Sequence, residues 1–140
     1  MTETTSRRVS FTRQSLGSYV ATNDKGATLR FGVSSNETFS PVELLLTAIA
    51  GCSGMDLDYP TSRRAEPLRF EAVSEADYVK DDTGNMLRDI QVTFHVTFPE
   101  GEDGDKARAR VPSALKSSHD RTCTVTRTVE NGATVTLRIA

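Results

Sequence analysis

Cys52 and Cys123 are the two thiols of the chain, and thiols are the side chains here best suited to nucleophilic or redox chemistry. Far apart in sequence, they make neither a disulfide framework nor a CxxC pair, and a free Cys is most simply read as a small buried hydrophobe. The chemical reading needs a thiolate, whereas an unperturbed thiol is only a few per cent ionised at neutral pH. Cys52 lies in Ala50-Gly51-Cys52-Ser53-Gly54, where the glycines allow either close helix packing or the approach of a ligand to the sulfur. A zinc site would draw on Cys52, Cys123, His95 and His119. His119 and Cys123 are four apart and could share a face, but zinc ligands come in close-spaced pairs and no second pair exists. No metal and no bound cofactor are therefore expected. Ser53 lacks the Gly-x-Ser-x-Gly context of a hydrolase nucleophile. His95, between Phe94 and Val96, reads as a hydrogen-bonded structural histidine.

The elements that must position these residues can be read along the chain. Ser40-Pro41-Val42-Glu43 is a helix start, with Ser as cap, Pro at the first position and Glu reaching back to the cap amide. The body from Leu44 to Leu57 is apolar on nearly every face, which marks a helix buried all round. Asp56, Asp58 and Tyr59-Pro60 are expected to end it. Before it, Arg8–Arg13, Gly17–Thr22 and Ala27–Val33 read as a three-strand meander. After it, Leu68–Val79 and Leu87–Phe98 alternate over many residues and predict a long hairpin. Thr61–Pro67, with Arg63 and Arg64, is a solvated connector. Asp105–His119 has a helical pattern that Pro112 must interrupt. Cys123–Val129 and Ala133–Ile139, joined by Asn131-Gly132, predict a last hairpin. The order β-β-β, α, β-β, α, β-β is α+β with antiparallel sheets, without the βαβ repetition of a Rossmann sheet.

The chain has 140 residues, 17 Lys plus Arg against 19 Asp plus Glu and 36% apolar residues, which fits a single domain over residues 1–140. Its net charge of −2 and pI near 5.7 offer no basic field, so nucleic acid is not an expected partner. No apolar run approaches the ~18 residues a membrane span needs. The start, MTETTSRRVSFTR, lacks a secretory signal pattern, and the expected location is cytoplasmic. The apolar fraction is low for a monomer, so part of the core is expected to come from a second subunit.

Ser40-Pro41-Val42-Glu43-Leu44-Leu45-Leu46 running into Ala50-Gly51-Cys52-Ser53, the long hairpin and Cys123-Thr124-Val125-Thr126 together resemble the OsmC/Ohr family of thiol-dependent hydroperoxide reductases. The resemblance implies an OsmC-like intertwined α+β homodimer built around a long buried central helix. It also implies that Cys52 attacks an organic hydroperoxide and that Cys123 resolves the sulfenic acid to a disulfide, which an external dithiol, of lipoyl type in the Ohr branch, then reduces.

Cys52 lies about twelve residues into its helix, beyond reach of that helix's N-terminal dipole, so a cation is required. By resemblance this is Arg30, in Thr28-Leu29-Arg30-Phe31, with Arg13 as runner-up. The Ohr branch places a Glu directly after the helix-starting Pro. Here Val42 stands there, and Glu43 follows. Glu43 already serves as the capping-box acid, and nine residues of helix set it ~13 Å from Cys52 on the opposite face. Any role for Glu43 at the sulfur belongs to the second subunit. Leu44 to Leu46, Ile49 and Met55 favour an alkyl chain over hydrogen peroxide. The competing class is a small-molecule binding protein that kept the fold and lost turnover, which Val42 and Pro60 make plausible.

Overall fold

In the computed structural model, which describes residues 1–140, the alternating N-terminal segment forms β1 (Val9–Ser15), β2 (Ser18–Asn23) and β3 (Thr28–Gly32), antiparallel in that order. Asn23 builds the second turn: its Oδ1 accepts from the N–H of Lys25 and of Ala27, both at 3.0 Å, which is why Asn recurs at such positions. Directly paired residues share a face. The register therefore puts Phe11, Arg13, Tyr19 and Phe31 on one face of the meander and Thr12, Val20 and Arg30 on the other. The three rings cluster, with centroids 5.1, 5.5 and 5.6 Å apart. Contacts divide the chain into two units, Met1–Leu45 and Leu46–Ala140, and the meander belongs to the first.

Helix α1 (Pro41–Ser62) begins with the capping box read from the sequence. The Ser40 N–H donates to Glu43 Oε1 (2.7 Å), and the Glu43 N–H donates to Ser40 Oγ (3.1 Å). At its other end the helix outruns expectation, since Pro60 lies inside the last turn. A proline there removes one hydrogen bond. The turn survives because Leu57 and Thr61 are fully buried, and side chains add bonds around it, Thr61 Oγ1 to the Leu57 carbonyl (2.8 Å) and Ser62 Oγ to Asp58 Oδ1 (2.7 Å). Within one chain the buried stripe of α1 is Ile49, Gly54, Leu57 and Thr61. Ala48, Gly51, Met55 and Tyr59 form an exposed second stripe.

In the second unit, β4 (Arg69–Asp81) and β5 (Gly84–Thr97) form the predicted hairpin. Phe70 and Phe94 face Gly54, where a Cβ would meet their ring carbons at 3.9 and 3.6 Å. The glycine is thus a close-packing position, while Gly51 has nothing within 4 Å. The pairing slips between Glu75 and Asp77, and Asp89 takes a positive φ of 53° in the facing strand. This bulge resets the alternation, so that Leu87 joins Ile90, Val92 and Phe94 around one cavity. His95 stands exposed, opposite Glu71 in the pairing.

Helix α2 (Glu102–Ser117) carries Glu102, Asp103 and Asp105 in its first turn, where acids favour the dipole. It continues through Pro112 without a break. A single π-helical turn, Ser118–Thr122, follows. The chain then departs from the predicted hairpin: Thr124–Asn131 is a helix, α3, and residues 133–140 have no regular secondary structure. Two ambiguities explain the difference. Val125 and Val129 are four apart, a spacing that suits a strand face and a helix stripe alike. Asn-Gly supplies a left-handed residue, which a hairpin turn and a helix end both need. Gly132 takes it (φ 67°, ψ 65°), its N–H bonding back to Thr128 and Val129. Val135, Leu137 and Ile139 alternate as a strand would, but no strand of this chain pairs with them, and they are 79%, 90% and 97% exposed.

Candidate active site

Cys123 is the N-cap of α3 and is completely buried. Its Sγ accepts the Thr126 N–H at 3.4 Å and lies 3.1 Å from Thr126 Oγ1. Ser53 Oγ donates to the same sulfur at 3.4 Å. Because Ser53 follows Cys52 on α1, this contact fastens α1 to the start of α3 and brings the two cysteines together. The two thiols influence each other's ionisation, and the backbone N–H groups of Val125 and Thr124 favour charge on the Cys52 sulfur.

Burial pushes the Cys52 thiol up, and hydrogen bonding and repulsion from Cys123 add to that. The Val125 and Thr124 N–H groups oppose the shift without reversing it. Burial also acts upward on Cys123. There the donors prevail: Ser53, the Thr126 side chain and N–H, and Cys52 together carry it below the ordinary thiol value. Donors thus converge on the Cys123 sulfur, while burial dominates at Cys52. A second helix also acts on Cys52, without removing the need for a cation that the sequence suggests. The dipole of α1 is spent before Cys52, but α3 presents its own unpaired N-terminal amides there.

Beside the pair lies a cavity of about 550 Å³. Ile49, Leu87, Ile90, Val92, Phe94 and Leu115 supply apolar wall, and Ser53 and Thr126, both in contact with Cys123, also line it. His119 is at the same cavity, bridged by Asp120 (3.0 Å) and Glu130 (3.1 Å), while Lys116 reaches Asp120 at 2.6 Å. These carboxylates, Asp120 first, raise the affinity of the imidazole for its proton. No three His, Cys, Asp or Glu side chains converge as a metal would require, and no helix is long and apolar enough to cross a membrane.

The remaining candidates stand in the N-terminal unit. Arg30 is exposed on β3 opposite Val20, and Arg13 is on β1 opposite Tyr19. The Glu43 carboxylate is taken by the Ser40 N–H and the Ser34 hydroxyl, which hold it below the usual carboxylate range. Val42, beside it, is exposed at the helix start. Sequence reasoning gave Ser53, Thr126 and Asp56 no part at the thiols; Asp56 was expected to help end α1, which instead runs on to Ser62. For Asp56 a signal existed: it follows Cys52 by four residues and so shares its helix face.

A family model described as OsmC-like protein matches residues 34–138. An uncharacterised protein of Mycobacterium tuberculosis is 30% identical over 122 residues, covering 86% of this chain and 87% of its own. Among solved structures, an OsmC-like protein of unknown function from Vibrio cholerae superposes with a TM-score of 0.71 at 12% identity, covering 91% of this chain and 95% of its own. A hypothetical protein from Aquifex aeolicus gives 0.71 at 20% identity, covering 92% and 90%. The organic hydroperoxide resistance protein OhrB of Bacillus subtilis gives 0.51 at 18%, covering 91% and 93%.

Proposed function

Since the chain belongs to the OsmC-like protein family, we propose that it is a thiol-dependent peroxidase that reduces organic hydroperoxides to alcohols. The observation that carries this reading is that Ser53, next to Cys52 on α1, bonds the Cys123 sulfur and so brings the two thiols together, beside a cavity with one apolar wall. Cys52 is the attacking sulfur because it is partly accessible, whereas Cys123 is sealed. Its thiolate displaces the alkoxide from the peroxide, leaving Cys52 as a sulfenic acid and, after protonation, an alcohol. Cys123 then attacks that sulfur, water leaves, and a disulfide forms. A small dithiol, of lipoyl type, returns both thiols. The apolar wall of the cavity, Ile49, Leu87, Ile90, Val92, Phe94 and Leu115, suits an alkyl chain.

Because the donors converge on Cys123 while burial raises Cys52, the reading assigns a specific task to an arginine: favouring the charge at Cys52. Arg30 is the proposed cation and Arg13 its alternative, the latter on the aromatic face of the meander. Glu43 acts at the sulfur only from a second copy, since in its own chain it caps α1. The protein is proposed to act in the cytoplasm as a homodimer.

One equivalent of cumene hydroperoxide followed by mass spectrometry tests the reading. The wild type should lose two hydrogens as the disulfide closes, and Cys123→Ser should gain one oxygen at Cys52. Cys52→Ser should consume no peroxide. If neither mass change appears while both thiols remain alkylatable, the chain is a binding protein on this fold.

A further inference from the structure

The geometry points to Asp56 as the positioning residue of the dithiol: its carboxylate clamps the π-helical turn that delivers Cys123 to Cys52. Asp56 Oδ2 accepts from Ser118 Oγ at 2.8 Å and from Thr122 Oγ1 at 2.9 Å, the first and last residues of that turn. Ser118 is 1% exposed. The Cys123 N–H donates to the Ser118 carbonyl at 2.8 Å, so the backbone of Cys123 hangs from one of the two residues that the carboxylate holds.

Single π-helical turns are rare and poorly favoured by themselves, and they gather at functional sites. Here a carboxylate joined to both ends supplies what the turn lacks. Charge-assisted hydrogen bonds are about twice as strong as neutral ones, and two of them converge on one oxygen. The acceptor is placed by the same helix that carries the attacking thiol, one turn beyond Cys52 and about 6 Å along the axis. A single rigid element thus sets the position of one sulfur directly and of the other through a two-bond clamp. Ser53 fastens the sulfur of Cys123, and Asp56 fastens the chain that carries it.

A disulfide needs Cα atoms within about 7 Å and a narrow range of side-chain directions. Holding the turn raises the effective concentration of one thiol at the other. Without the clamp the dithiol form gains freedom that the disulfide form must give up, so closure becomes less favourable.

The inference rests on the reading that the pair closes to a disulfide, and its test uses no peroxide. With glutathione disulfide as oxidant, Cys52 and Cys123 release two protons and two electrons as the S–S bond forms, and the oxidant becomes two glutathione thiols. The full-length protein is equilibrated in glutathione redox buffers, and the disulfide fraction is read by alkylation and mass. Asp56→Ala should lower the equilibrium constant for closure at least tenfold, a midpoint about 30 mV more oxidising. Thr122→Val should give part of that shift, and Thr122→Ser should restore the wild-type midpoint. A loss of stability common to both redox forms cancels in this measurement, so a merely structural role leaves the midpoint unmoved. Wild-type midpoints in Asp56→Ala and Thr122→Val overturn the proposal. Should Asp56→Ala fail to fold, the Thr122→Val and Thr122→Ser pair decides alone. A wild type that closes with glutathione disulfide yet is untouched by hydroperoxide separates failure of the peroxidase reading from failure of the clamp.

Discussion

Ser53 shows how much of the thiol chemistry depends on a neighbouring hydroxyl. Its donation to Cys123 stabilises the anion and is lost to the neutral thiol only in part, so the bond acts on the first ionisation. The lowered Cys123 value means that thiolate persists below the ordinary thiol range, and removing the donor must move the titration upward. A hydrogen bond to a charged group contributes roughly 1.5–3 kcal/mol. Ser53→Ala should therefore raise the pH at which the pair loses its first thiol proton by about one unit, read as ultraviolet thiolate absorbance, with little change in fold. An unmoved pH profile would leave Thr126 and Cys52 as the donors that matter. At this scale the sequence disclosed the two cysteines and, in Glu43, a cap that the structure reproduces bond for bond. It did not disclose Ser53, Thr126 or Asp56 as partners, because each acts across a long gap in sequence or through a backbone conformation that single-residue chemistry does not announce.

Among the elements, α1 and the β4–β5 hairpin were legible because their signals agree: cap, first-position proline and apolar run for the helix, long alternation and a polar turn for the hairpin. The last third was not. Cys123–Val129 alternates, yet it folds as α3 because the i, i+4 valines, the sulfur cap at Cys123 and the left-handed Gly132 also satisfy a helix. The glycine is the position most exposed to test. Any other residue at φ 67° is strained, and Gly132→Ala should destabilise the protein by about 1 kcal/mol, read as a lower urea midpoint at unchanged slope. An unchanged midpoint would mean that α3 does not depend on that end. Pro60 and Pro112 carry the same lesson in the other direction. Both remain inside helices, since burial of Leu57 and Thr61 in one case and of Ala107 and Ala114 in the other outweighs a single missing hydrogen bond.

For the molecule as a whole, the apolar surface left uncovered is the leading fact. Met55 and Tyr59 on α1 are 59% and 64% exposed, β1 is exposed along its length, and Val135, Leu137 and Ile139 alternate with no strand beside them. A single soluble chain rarely leaves so many large apolar side chains open in contiguous stripes. We expect an obligate dimer burying well over ~2,000 Å² in total, checked by light scattering at micromolar concentration. Gly51→Leu, on the open stripe of α1 with nothing within 4 Å in its own chain, should convert it to monomer. A folded, stable wild-type monomer at that concentration would remove both the shared site and any role for Glu43 at the sulfur.

Local chemistry written in short stretches of sequence determined the α+β class, the capped central helix, the meander, the long hairpin and the identity of the two thiols. Periodicity and turn residues act over a few positions and can be read there. Tertiary structure decided the rest: which of two equally written conformations Cys123–Asn131 adopts, which face of β5 Leu87 joins at the Asp89 bulge, and on which sulfur the donors converge. An anion goes where donors converge from separate elements. Ser53 on α1 and Thr126 on α3 become neighbours only when the chain has folded.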